Sequence, residues 1–235
     1  MIKLTKHYKP RNQTDFWKSC FGKVLGGAIM KFKLKDPGSA ITHGIAFLLA
    51  AVGAAPLLIR SSEWSDHIHI VALGVFILTM MLLYAASTLY HSVDSTAKVN
   101  RRLKKLDHMM IFVMIAGSYT PVCLIVLHNK IGYILCALVW ATAILGIVFK
   151  AFWVTCPKWI SSVLYIGMGW LCVLAMVPLV QTLPTAAFVW LVAGGVIYTI
   201  GGVIYALKLP LFNAKHQYFG SHEIFHVFVM AGSLC

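Results

Sequence analysis

Apolar side chains fill six stretches of the chain, 40–59, 70–90, 109–127, 131–149, 160–180 and 186–207, and none of them contains a Lys, Arg, Asp or Glu. Each is about 20 residues long, roughly what a helix rising ~1.5 Å per residue needs to cross ~30 Å of hydrocarbon. A seventh stretch, 222–235, would cover only about 21 Å as a helix, so the last span is expected to be shortened or not to cross fully. The pattern predicts an all-α integral membrane protein, a seven-transmembrane helix bundle. Residues 1–38 form a basic arm and residues 39–235 the spanning domain.

Polar positions between the stretches set the orientation. Of the twenty Lys and Arg, nine lie in the arm, five in 98–105, and the rest of one side's share at Lys150, Lys158, Lys208 and Lys215; the alternate loops hold only Arg60 and Lys130. By the positive-inside rule the N-terminus is cytoplasmic. The formal charge of +13 is thereby explained without nucleic acid, and membrane lipids are the expected partners. Within the arm, Phe16, Trp17, Cys20, Phe21, Val24, Leu25 and Ala28 recur at helical spacing between lysines. They suit an amphipathic helix on an anionic leaflet, or equally a basic tail that only sets topology. No cleavable leader is expected, since the first apolar run begins near residue 40.

Further along, Asp36-Pro37-Gly38-Ser39 reads as a chain break and helix start, 92–106 as a solvated basic loop, and Pro121 as a bend in the third span. Gly194-Gly195 and Gly201-Gly202 permit close helix approach. The 60% hydrophobic content and mean hydropathy of +0.81 fit a membrane location, expected to be the cell membrane. Six scattered cysteines with no CxxC read as small buried side chains rather than ligands or disulfides.

Ionisable residues are costly inside a bilayer and point to function. His222 and His226 stand four apart, so a helix puts both on one face. Ser87 and His91 repeat that spacing at the end of the second span, and Asp107 abuts the third. With the N-terminus inside, His91, Asp107, His222 and His226 all fall at cytoplasmic helix ends. Three imidazoles leaving one coordination position open are how catalytic zinc is held, and nitrogen donors favour zinc over magnesium or calcium. In such a site Asp107 could hold a water and act as general base, while Ser87 could stabilise an oxyanion or orient the aspartate. Each has a plainer reading: Asp107 could cap its span or pair with Arg101, Lys104 or Lys105, and Ser87 could bond its own helix backbone. His43, alone near the start of the first span, reads as hydrogen-bonded packing. His67-x-His69 lacks a third partner.

These residues also carry a resemblance. Thr42-His43-Gly44, Ser87…His91, Leu89-Tyr90-His91-Ser92, Leu106-Asp107-His108, Gly117-Ser118-Tyr119-Thr120-Pro121 and Ser221-His222-Glu223-Ile224-Phe225-His226 resemble the hemolysin III group of the progestin and adiponectin receptor family. That family shares a superfamily with the alkaline ceramidases. The resemblance runs from Asp36 onward and implies a seven-helix bundle with zinc on His91, His222 and His226 and Asp107 bound through water. It also implies hydrolysis of a lipid amide, while the bacterial branch is named for cytolysis.

Three functional readings follow. The first is a metal-dependent lipid amide or ester hydrolase taking its substrate from the cytoplasmic leaflet. The second is a cytolytic pore-forming or membrane-homeostasis protein in which zinc ties helices together, although the six full spans lack the charged ring of many selective pores. The third is an intramembrane protease, since His222-Glu223-x-x-His226 matches HExxH, but no His, Asp or Glu follows His226 to supply a downstream ligand.

Overall fold

The computed structural model describes residues 34–63, 66–207 and 220–235; the amphipathic pattern of the arm lies outside them. Every described element is helical: α1 (Pro37–Ser62), α2 (Ile68–Ser92), α3 (Ala97–Leu127), α4 (Lys130–Phe152), α5 (Lys158–Thr182), α6 (Thr185–Leu207) and α7 (Ser221–Leu234). The first six are long and apolar enough to cross a membrane, whereas α7 has 14 residues. Helices consecutive in the chain pack side by side, and α7 closes the ring against α1.

Local chemistry sets the helix ends. Pro37 occupies the first turn of α1, where its missing N–H costs no hydrogen bond. Asn129 caps α4 by accepting from the Gly132 N–H at 3.0 Å. At α3 the structure corrects the sequence reading of a loop over 92–106. The helix already begins at Ala97, with Thr96 Oγ1 accepting from the Val99 N–H at 3.4 Å. Ala, Lys, Arg and Leu are strong helix formers, so after a capping threonine this basic segment continues the helix rather than looping. Asp107 consequently lies well inside α3.

Three further features concern helix interiors. Lys150, counted from sequence as a charge at a helix end, is fully buried and donates to Ser161 Oγ at 2.5 Å and Cys156 Sγ at 3.0 Å. In α5, Trp170–Ala175 tightens to a 3-10 turn. Pro178 cannot donate back to the Leu174 carbonyl, which weakens the α-helical ladder there. The Tyr119 hydroxyl from α3 stitches this segment, donating to the Gly169 carbonyl and accepting from the Cys172 N–H at 2.8 Å. In α3 the chain widens after Pro121 into a π-helical segment, Val122–Leu127, and stops at His128, whose φ of 34° is left-handed.

The interior has two apolar clusters. One joins Phe112, Ala116, Tyr119 and Cys123 of α3 to Val139 of α4 and Leu179 of α5. The other joins Ala46, Tyr84, Met114 and Val229, drawing α1, α2, α3 and α7 together. The described cysteines are free, with Cys123 and Cys156 buried and Cys235 exposed.

Close helix approach depends on particular glycines. A Cβ on Gly201 would sit 2.6 Å from Phe228 Cβ of α7, and one on Gly202 3.0 Å from Ile166 of α5; at Gly195 it would meet nothing. Among the described glycines the tightest approach is Gly117 of α3 against Thr79 of α2, where an added Cβ would lie 1.8 Å from Oγ1 and 2.7 Å from Cβ. A neighbour's Cβ cannot swing aside without moving its helix. Gly117→Ala should therefore lower unfolding stability in detergent by about 1–3 kcal/mol, while Gly195→Ala should leave it unchanged or raised. Thermal melts of the two variants beside the parent check this.

Candidate metal centre

His91 closes α2, and His222 and His226 occupy the first two turns of α7. One nitrogen from each lies within 4.8 Å of the other two, and the Nε2 atoms of His91 and His222 are 3.1 Å apart. Tetrahedral zinc with Zn–N near 2.0–2.1 Å would place its ligand nitrogens about 3.3 Å from one another. No other group of three or more candidate ligands occurs among the described residues, which leaves His67-x-His69 without a site.

The outward-facing nitrogens show which lone pairs are available. His91 Nδ1 is 2.9 Å from Asp36 Oδ2; a carboxylate only accepts, so Nδ1 carries the hydrogen and Nε2 is bare. The same residue grips His91 a second time, its N–H donating to the His91 carbonyl at 2.9 Å and satisfying an orphan at the end of α2. His226 Nδ1 meets Thr42 Oγ1 at 3.2 Å, and that hydroxyl also lies 2.9 Å from the Gly38 carbonyl and 3.0 Å from that of Ser39. Having one hydrogen, already directed to the backbone, Thr42 must accept from Nδ1–H, and His226 Nε2 is bare as well. With bare nitrogens converging on His222, either a proton or a cation has to lie between the rings. The donor set and its orientation fit a divalent metal.

Asp107 is 4% exposed, and its Oδ2 lies 3.2 Å from His108 Nδ1. It neither caps α3 nor forms an ion pair with Arg101, Lys104 or Lys105. Ser87, 1% exposed, has no hydrogen-bond partner, so its hydroxyl is not spent on its own helix. His43 departs from the expectation of hydrogen-bonded packing. It is buried, both ring nitrogens lack partners, and it stacks on His226 with centroids 3.6 Å apart. His43, Ser87, Asp107, His108, His222 and His226 line one cavity of about 400 Å³. Away from these groups its walls are mostly apolar, with Ile115, Leu179, Phe188 and Leu191 among them and Ser118 and Thr199 interspersed, and it extends to Leu183 at the α5–α6 turn. The buried hydroxyl and imidazole nitrogens left without protein partners therefore face a space that a polar ligand or water could enter.

Glu223 takes no part in that cavity. Its Oε1 accepts from Ser39 Oγ–H at 2.6 Å and its Oε2 from the Gly220 N–H at 2.8 Å, so it closes the start of α7 and ties it to α1. Asp36, Ser39 and Thr42, whose side chains hold the ligand helices, were not assigned to the site from sequence. The available signal was their spacing along the first turns of α1, on the same predicted side as the histidines.

Buried histidines at one end of a ring of apolar helices define a multi-pass helical membrane protein with a candidate metal centre. Residues 32–235 match the haemolysin-III related family, and the chain belongs to that family. Hemolysin-3 of Bacillus cereus is 38% identical over 203 residues, covering 86% of this chain and 89% of that protein. The Hemolysin-3 homolog of Bacillus subtilis (strain 168) is also 38% identical over 203 residues, covering 86% of this chain and 91% of its own length. An adiponectin receptor protein of Drosophila melanogaster is 24% identical over 221 residues, spanning 84% of this chain and 48% of the receptor, which supports the wider relationship expected from the motifs.

The Ser39–Glu223 hydrogen bond joins α1 to α7 beside the histidines. Bonds to charged groups are worth about 1.5–3 kcal/mol. A double-mutant cycle with Ser39→Ala and Glu223→Gln should return a coupling energy of about that size, read from denaturant unfolding in detergent; additive losses would show the two groups to be independent.

Proposed function

We propose that this protein is a membrane-embedded zinc hydrolase that cleaves a lipid amide or ester taken from the cytoplasmic leaflet of the cell membrane. The observation that carries the reading is the convergence of His91, His222 and His226 nitrogens beside a cavity that Ser87 and Asp107 also line. His91, His222 and His226 would hold the ion, with Asp107 reaching it through water. Zinc bound there would supply Lewis acidity and make a water nucleophilic near neutral pH.

The chain's own groups would do the remaining work. Asp107, buried and acceptor-only when ionised, takes the proton of the attacking water and returns it to the leaving amine or alkoxide. Ser87 Oγ–H, otherwise unpartnered, donates to the oxygen on which negative charge develops. His43, locked flat against His226, offers a ring N–H to the substrate's polar head. The apolar walls take hydrocarbon and exclude bulk water, which strengthens these polar contacts. Asp36 and Thr42 fix the imidazoles in the tautomer a metal needs.

The protease reading is disfavoured by Glu223, whose two carboxylate oxygens are committed to Ser39 and the Gly220 N–H outside the cavity. A cytolytic function, the alternative in which zinc would only tie helices together, draws support for its cytolytic part alone from the name Hemolysin-3 borne by the Bacillus cereus relative.

Metal analysis of the purified chain should give about one zinc per chain, lost in His226→Ala, and Asp36→Ala should weaken zinc affinity by about 10–100-fold. In liposomes of lipid amides and esters, fatty-acid release should stop on chelation. It should also stop in Asp107→Asn with zinc retained, and should persist in Glu223→Gln. Dye leakage that continues after chelation, without fatty-acid release, would replace the hydrolase with the pore.

A further inference from the structure

Outside the histidine cavity, the described residues form a second, open hollow of about 400 Å³, lined by Lys35, Tyr90, Asn100, Arg101, Lys104 and Thr155 together with buried Val154. It lies where the segment before α1, the end of α2, the start of α3 and the α4–α5 connection meet. Three of its side chains are cationic. None forms an ion pair with a carboxylate among the described residues, although Lys35 Nζ sits 3.7 Å over the Tyr90 ring.

The carboxylates near these residues in sequence are already engaged, Asp107 lying 3.2 Å from His108 Nδ1 and lining the histidine cavity instead. Asp36 Oδ2 is held by His91, and Asp94 Oδ1 accepts from the Asn100 amide at 3.1 Å. Asn100 in turn spends its remaining capacity on Ser95, leaving it no role beyond shaping the wall. Among the described residues, what faces the hollow is one guanidinium, two ammonium groups and the exposed Thr155 hydroxyl, with no anion to balance them. A solvated basic face scatters its charges outward, as Lys98 and Arg102 do on the same helix, both exposed. Arg101 is exposed as well, but it shares its concavity with Lys35 and Lys104, which are half-buried there, so that mutual repulsion is less screened.

We propose that this hollow is a phosphate-binding site. The forked donors of Arg101 suit two phosphate oxygens, and Lys35 and Lys104 supply point charges to the others. The predicted side of these residues is that of the cytoplasmic headgroups, where an anionic phospholipid presents the same phosphate chemistry as the free ion.

Full-length protein in a neutral detergent can be titrated by calorimetry with dioctanoyl phosphatidic acid, with dioctanoylglycerol and with inorganic phosphate. Phosphatidic acid should bind and dioctanoylglycerol should not. The double variant Arg101→Gln/Lys104→Gln should bind about tenfold or more weakly, the loss expected for one charge-assisted bond or more. Lys98→Gln/Arg102→Gln removes the same charge from the same helix outside the hollow and should change affinity by no more than about twofold. Neither pair has a protein partner among the described residues, so both variants should melt with the parent in the absence of ligand. Binding of phosphatidic acid alone assigns the site to a lipid headgroup, and equal binding of inorganic phosphate assigns it to the free ion. No phosphate binding, equal binding of dioctanoylglycerol, or equal losses in the two double variants would overturn the proposal.

Discussion

The arrangement rests on the opening turns of α1, which hold the two histidine-bearing helices in place. Asp36 clasps His91 at both ring and carbonyl, Ser39 takes Glu223 of α7, and Thr42 takes His226. These positions share one side of a helix, so one rigid element sets the relation between the end of α2 and the start of α7. The two histidines on α7 are related to each other by helical geometry alone. Their relation to His91 crosses the bundle and needs the brace.

That brace also decides proton positions. An imidazole can ligate a metal only through a nitrogen without hydrogen, and neutral histidine has one such nitrogen of two. The Asp36 carboxylate and the Thr42 hydroxyl, already donating to its own backbone, each require a hydrogen on Nδ1. Nε2 is left for the centre. Stacking of His43 on His226 fixes the plane of that ring, and the glycine approaches of α6 to α7 bring the rest of α7 inward.

Much of this was legible in the sequence, for identifiable reasons. Charge-free runs of spanning length are a signal stronger than any local propensity, and they placed the six long helices. Spacing of four put His222 with His226, and parity of crossings put His91 and Asp107 on their side. The rest depended on contacts between distant segments. Asp36 read as a helix start because Pro37 follows it, and nothing local indicates a partner at His91. Lys150 counted as a topological charge, although Ser161 and Cys156 receive it inside the protein. The basic run after Thr96 looked like a loop because charge was given more weight than helix propensity. Tyr119, recognised only as part of a motif, proves to repair the irregular turn of α5.

Glu223 shows why spacing alone does not define chemistry. His-Glu-x-x-His places two ligands on one helical face, and the intervening glutamate, one residue after the first histidine, points about 100° away around the helix. In a zincin that direction leads to substrate. In this chain it leads to Ser39 on α1 and to the N–H of Gly220, so the carboxylate closes a helix end and joins two helices. Asp107, brought by a different helix into the cavity with the histidines, is buried there, and it is the carboxylate on which the proposed hydrolase relies. On the proposed reading, the chemistry open to the same two histidines depends on which neighbouring helix presents an acid to them, and here α3 brings Asp107 into the cavity while α1 occupies the glutamate.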